Sequence, residues 1–149
     1  MSKFIPIAVV FALLLKVAVT PSTADESFEP LSGVTVYDAV VDSAPTGATS
    51  RLQMKIENLS SEDITLIGVR SSIAASGALV VVGGPEPDAE TSLVLLIRQE
   101  ETLDLQSSHI RLELRGLKSP LTKGDSAPFE LVFRRGVALG MAHVHSRRN

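Results

Sequence analysis

Between Arg51 and Glu57 the chain reads Arg-Leu-Gln-Met-Lys-Ile-Glu, so that Leu52, Met54 and Ile56 alternate with Gln53, Lys55 and Glu57. A period of two places successive side chains on opposite faces of an extended strand, one face buried and one wet. The pattern returns in Ile110, Leu112 and Leu114 against Arg111, Glu113 and Arg115, and again in Phe129, Leu131 and Phe133 against Glu130 and Arg134. A helix could not collect these apolar residues on one side, so the chain is committed to β structure.

The segments between these strands agree. Val34–Tyr37 with Val40 and Val41 reads as a first strand, ended by the turn-rich run Asp42–Ser50. Asn58–Asp63 is a polar turn and Ile64–Val69 the next β-rich run. Leu79–Val82 is continuously apolar, which predicts a strand buried on both faces. Gly83-Gly84-Pro85-Glu86-Pro87-Asp88 then forms a loop, because Pro lacks a ladder donor and Gly favours turns. Leu93–Ile97 and Leu103–Leu105 are further strands, with Gln99–Glu101 turning the chain between them. Val137, Leu139, Met141, His143 and His145 share one face of a final strand. Many short strands, no long helical pattern and no internal repeat predict an all-β antiparallel sandwich.

The N-terminus has the features of a secretory leader: Lys3, an apolar run from Phe4 to Leu15, and small residues Ser22 and Ala24 ahead of Asp25-Glu26. Cleavage is expected after Ala24, leaving residues 25–32 as an extended lead-in, 33–145 as one domain and 146–149 as a basic tail. The apolar run is shorter than the roughly 20 residues a membrane span needs, and Lys16 interrupts it. Localisation is therefore expected in the periplasm or outside the cell. The sequence contains no Cys, which excludes disulfides, thiolate metal sites and a lipid-bearing Cys within it. Removing residues 1–24 takes two of the 14 basic residues and no acid, leaving 12 against 17 acidic ones, formally −5. An acidic chain with no Trp and one Tyr has neither the basic face nor the stacking platforms of a nucleic-acid binder.

Three motifs carry a family resemblance: Ile56-Glu57-Asn58 at a strand end, Ile67-Gly68-Val69-Arg70-Ser71-Ser72, and Gly116-Leu117-Lys118-Ser119-Pro120-Leu121-Thr122-Lys123-Gly124-Asp125. From about Gly33 to Val144 the chain resembles the periplasmic copper chaperones called PCuAC. The resemblance implies a cupredoxin-like Greek-key β-sandwich, copper as the bound metal, and a copper-accepting membrane or periplasmic protein as partner. It also implies copper ligands that this chain lacks. The family's His-x-Met pair before Gly116-Leu117 falls on Arg111 and Glu113, its first His within Leu79–Val82, and its first Met around Leu93–Ile97. None of these positions holds His or Met.

Copper(I) is soft and prefers thioether and imidazole. The residues of that chemistry are clustered in Met141-Ala142-His143-Val144-His145, with His109 as a further candidate. On a strand, Met141, His143 and His145 point the same way at intervals of about 6–7 Å. The competing reading is a strand end with Met141 in the core, running into Arg147-Arg148. His109 lies two residues before Arg111, where a turn or solvated role competes with that of a displaced ligand. Arg111, Glu113 and Arg115 read either as a partner-binding face or, the preferred reading, as a solvated sheet face with cross-strand ion pairs, where substitution costs within about 0.5 kcal/mol. Asn58-Leu59-Ser60 fits a glycosylation sequon and equally a turn. Gly83-Gly84-Pro85 is not a phosphate loop, since no Lys-Ser/Thr follows. No nucleophile or acid–base pair stands in a recognisable setting, no small-molecule substrate is evident, and an enzyme is not expected. Two functions remain: a copper chaperone whose site has moved or weakened, and an accessory interaction module that keeps the fold without metal.

Overall fold

The computed structural model describes residues 29–84 and 93–147. The expected leader 1–24, the first part of the lead-in, most of the Gly83–Asp88 loop and the last two residues of the basic tail lie outside them. The described residues form nine strands and no helix: β1 (Val34–Asp42), β2 (Ser50–Asn58), β3 (Ile64–Arg70), β4 (Ala74–Val81), β5 (Leu95–Ile97), β6 (Thr102–Asp104), β7 (Ile110–Leu117), β8 (Ser126–Phe133) and β9 (Gly136–His145).

The strands hydrogen-bond in the order β4-β7-β2-β1-β9-β8-β3-β5, with β6 also on β2. β2 is shared along its length: Ser50–Leu52 pairs with β7, and Lys55–Glu57 pairs with β6. Every ladder is antiparallel except β1–β9, where Val40, Val41 and Asp42 run parallel to His143, Val144 and His145. β3 and β4 are neighbours in sequence, yet β4 stands at one end of the strand order and β3 next to the other, so the sheet curls until the two meet. Gly77 marks that closure. A Cβ there would come within 2.0 Å of the Val69 carbonyl oxygen, so the β4 backbone can lie against β3 only without a side chain. The result is the expected Greek-key β-sandwich with one parallel ladder in it.

The alternating residues fill the interior: Leu52, Met54, Ile56, Leu112, Leu114, Leu131 and Phe133 are all 0–1% exposed. Two expectations need correction. Leu79–Val82 is not buried on both faces: Leu79 faces the core, but Val81 and Val82 are 38% and 48% exposed. β4 is bonded only to β7 and covers the core with one face, and it begins at Ala74, where small residues hide the strand pattern. On β9 the expected shared face is the outer one. Leu139 and Met141 are 73% and 57% exposed, while Ala142 and Val144 point inward. Val137 alone of that row is buried, and there the lead-in pairs beside β9: Val137 N–H donates to the Glu29 carbonyl and its own carbonyl accepts from Leu31 N–H.

Loops are held by local polar bonds. Gln106 N–H donates to Asp104 Oδ1 at 2.8 Å and, with the Ser107 hydroxyl, holds the Asp104 carboxyl below its ordinary pKa. Asn58, at the end of β2, is completely buried. Its Nδ2 donates to the carbonyls of Glu62 (2.8 Å), Arg98 (3.1 Å) and Ile97 (3.2 Å), while Oδ1 accepts from Ser60 N–H and Oγ. The sequon asparagine is thus the pin of two loops, with its amide turned inward. Asn58→Ala strands those carbonyls without a donor and is expected to cost about 3 kcal/mol. Urea denaturation should report this as a lower midpoint with an unchanged slope.

Candidate functional site

Two places on the outer face gather chemically useful side chains. The first follows from a defect in β1. Asp38 has φ +53°, and the β1–β2 register shifts between Tyr37 and Val40. This bulge turns β1 away from β9, so their parallel ladder begins only at Val40 and His143. Just upstream, at Gly140 and Met141, β9 pairs with β8 alone among the described residues, with Met141 opposite Pro128 and Gly140 opposite Phe129. The split is a shallow cavity of about 410 Å³ bordered by Tyr37, Asp38, Gln106, Phe129, Met141 and His143. Gln106 Nε2 reaches across to the Asp38 carbonyl at 3.0 Å, and Lys55 Nζ stands 3.5 Å from the Asp38 carboxylate.

Met141 is not in the core. At 57% exposure its thioether projects from the sheet beside the exposed imidazole of His143. His145 pairs with Asp42 and borders a second depression, shared with His143, Lys123 and Arg147. His143 therefore stands between Met141 on one side and His145 on the other. His109 does not join them. It precedes β7, where its carbonyl accepts from Val82 N–H at 2.7 Å. β2 and β1 separate β7 from β9, three inter-strand steps or about 14 Å. Among the described residues, no three His, Asp or Glu side chains converge as a metal site.

The second place is where the resemblance locates the lost ligands. Arg111, Glu113 and Arg115 do face outward from β7, but they are not a solvated face. Their side chains are only 33%, 15% and 33% exposed. Glu113 accepts from Arg115 Nη2 at 2.9 Å and Nε at 3.1 Å, and Arg111 Nη1 stands 3.8 Å from its other oxygen. Across the sheet, Glu113 is level with Arg51 on β2 and Ala78 on β4, and Arg111 with Val80. Asp42, Ser43, Thr49 and Arg147 complete a cavity of about 640 Å³ around the cluster. Among the described residues, the Nε atoms of Arg51 and Arg111 are buried there without a hydrogen-bond partner.

Arg51, Asp42 and Arg147 are members of this cavity that strand periodicity did not single out. Arg51 was legible only as an outward residue of β2. Its place beside Glu113 depends on the β2–β7 register, which no local pattern encodes. Arg147 arrives because its N–H donates to Ser43 Oγ, folding the tail back over the end of β1.

Comparison with known proteins agrees with this architecture. Residues 34–142 match the model of the LpqE-like family, described as "Putative lipoprotein LpqE-like". No curated protein matches the chain in sequence. Among solved structures it is similar to the copper-bound PCuAC domain from PmoF2, with 18% identity, TM-score 0.63, and coverage of 80% of this chain and 98% of that one. The apo PCuAC domain from PmoF1 gives 16% identity, TM-score 0.63, and coverage of 80% and 99%. The curled all-β sheet is thus a PCuAC-type, cupredoxin-like fold, and the chain belongs to the LpqE-like family.

Proposed function

We propose that the protein is an extracytoplasmic, non-enzymatic copper-handling protein that takes Cu(I) at the outer face of β9, through Met141 and His143 with help from His145. The observation that carries this reading is the exposed thioether of Met141 beside an exposed imidazole, at the split between β1 and β9. A thioether in water gains nothing from burial, whereas with imidazole it matches the preference of Cu(I). Outward side chains on one strand stand about 6–7 Å apart, so neighbouring pairs can lean onto one ion while all three cannot do so without bending the strand. A site of so few ligands holds copper weakly and releases it readily, as delivery to an accepting membrane or periplasmic protein requires. The family's lipoprotein description and the leader-like residues 1–24 support a location outside the cytoplasm.

Titration of the protein with Cu(I) against a competing chelator should give saturable binding that Met141→Leu/His143→Ala removes and His109→Ala leaves intact. Unchanged binding in the double variant, or no binding in the parent, contradicts the assignment.

A second reading is an accessory interaction module that binds no metal. It is favoured by the replacement of the aligned ligands with the Arg111–Glu113–Arg115 cluster, whose positive charge opposes a cation. The two readings share a consequence for β7. Arg111→His/Glu113→Met removes a half-buried, charge-assisted hydrogen-bond network, so it is expected to lose about 1–3 kcal/mol in chemical denaturation. It should gain no tight copper binding, since Val80 and Ala78 opposite supply no ligand. A stable double variant with tight Cu(I) binding would mean that the β7 positions are still competent.

A further inference from the structure

The arginine cavity is over-supplied with donors. Among the described residues its lining sets four guanidinium groups, those of Arg51, Arg111, Arg115 and Arg147, against the two carboxylates of Asp42 and Glu113, on a chain whose net charge is −3. Glu113 is already engaged by Arg115 and Arg111. Arg51 makes no hydrogen bond or ion pair among the described residues, although it lies directly across from Glu113. Two guanidinium Nε–H groups are buried without an acceptor, each carrying a desolvation cost that the protein's own groups do not offset. Such a cluster would repel itself in the folded state, and a bound oxyanion between the guanidinium groups removes the repulsion.

We propose that this cavity is a binding site for a phosphate-type dianion. The geometry favours a tetrahedral oxyanion over a lone carboxylate. The cations approach from β2, from β7 and from the tail, rather than as one planar fork, and Ser43 and Thr49 add hydroxyl donors at the rim. A dianion also suits a lining in which guanidinium groups outnumber carboxylates among the described residues. Glu113 then serves as a positioning residue: it spaces Arg111 and Arg115 and limits affinity by its own negative charge. The cavity holds no thioether or imidazole, so this site is independent of copper at β9. The phosphate could be free in solution or carried by a phospholipid headgroup, since both present the same atoms.

The test is titration of the whole protein with inorganic phosphate in a phosphate-free, low-salt buffer, followed by the arginine Nε–Hε signals in ¹H–¹⁵N spectra. Chloride at matched ionic strength is the control. Saturable shifts at Arg51 and Arg111, with exposed Arg98 unmoved, are expected. Arg51→Gln should weaken binding about tenfold, the loss of one charged hydrogen bond. Glu113→Gln, which keeps the shape, should tighten it. Should Arg51→Gln fail to fold, Arg147→Gln at the exposed tail should weaken binding in the same sense. Vesicles of phosphatidylcholine with and without phosphatidylglycerol separate the sources. Phosphate-competed binding to the anionic vesicles identifies a headgroup, and phosphate binding without it identifies a soluble ligand. Unsaturable or uniform shifts, or unchanged affinity in both arginine variants, would overturn the proposal.

Discussion

The burial of one face of β2 is the constraint on which the rest of the molecule depends. Leu52, Met54, Ile56 and Asn58 are all at 0–1% exposure, and the same strand carries ladders to β1, β7 and β6. A slip of one residue would turn this whole set outward and bury Arg51, Gln53, Lys55 and Glu57 instead. Register is therefore fixed, and with it the position of every neighbour. The Asn58 amide secures the strand's end by holding the chain at both Glu62 and Ile97–Arg98. That register also divides the chemistry. Met54 is locked in the core, while Arg51 is set beside Glu113 and Lys55 beside Asp38.

Among the described residues, the side chains that cluster do so on the outside of the curled sheet, in two places of opposite character. The β1–β9 split exists because β1 bulges at Asp38 before it can pair with β9, which leaves Met141 with no strand beside it on that side until the ladder begins at His143. The β2–β7 face is cationic and half-covered by the end of β1 and the returning tail. A copper ion approaching that face meets guanidinium groups. Approaching β9, it meets a thioether and imidazoles. The fold is thus kept while the exposed thioether and imidazole side chains stand on β9, with β2 and β1 between them and β7.

Much of this was legible in the sequence because the strands alternate cleanly. The three period-two segments gave β2, β7 and β8 with the correct inward faces, and the PCuAC-like motifs gave the sandwich. The misses share a physical cause, which is long-range register. The run Leu79–Val82 looked like a doubly buried strand, yet only the strand order makes it an edge with one exposed side. Met141 was readable as core or ligand from its neighbours alone, and the core reading falls because Ala142 and Val144 take the inward positions. The charged residues of β7 looked solvated because nothing local reveals that Asp42–Ser43 and Arg147, distant in sequence, close over them. Arg51 had no local signal at all.

The central claim, that the soft-metal chemistry of this chain resides on β9 and not in its core or on β7, is tested most directly by methionine-methyl NMR during Cu(I) addition. Met141 and Met54 are reporters at opposite extremes of exposure, one projecting from β9 and one sealed inside β2. The account predicts that the Met141 methyl signal moves with copper while the Met54 signal stays fixed. Movement of Met54, or a Met141 signal indifferent to copper that still binds, would contradict it.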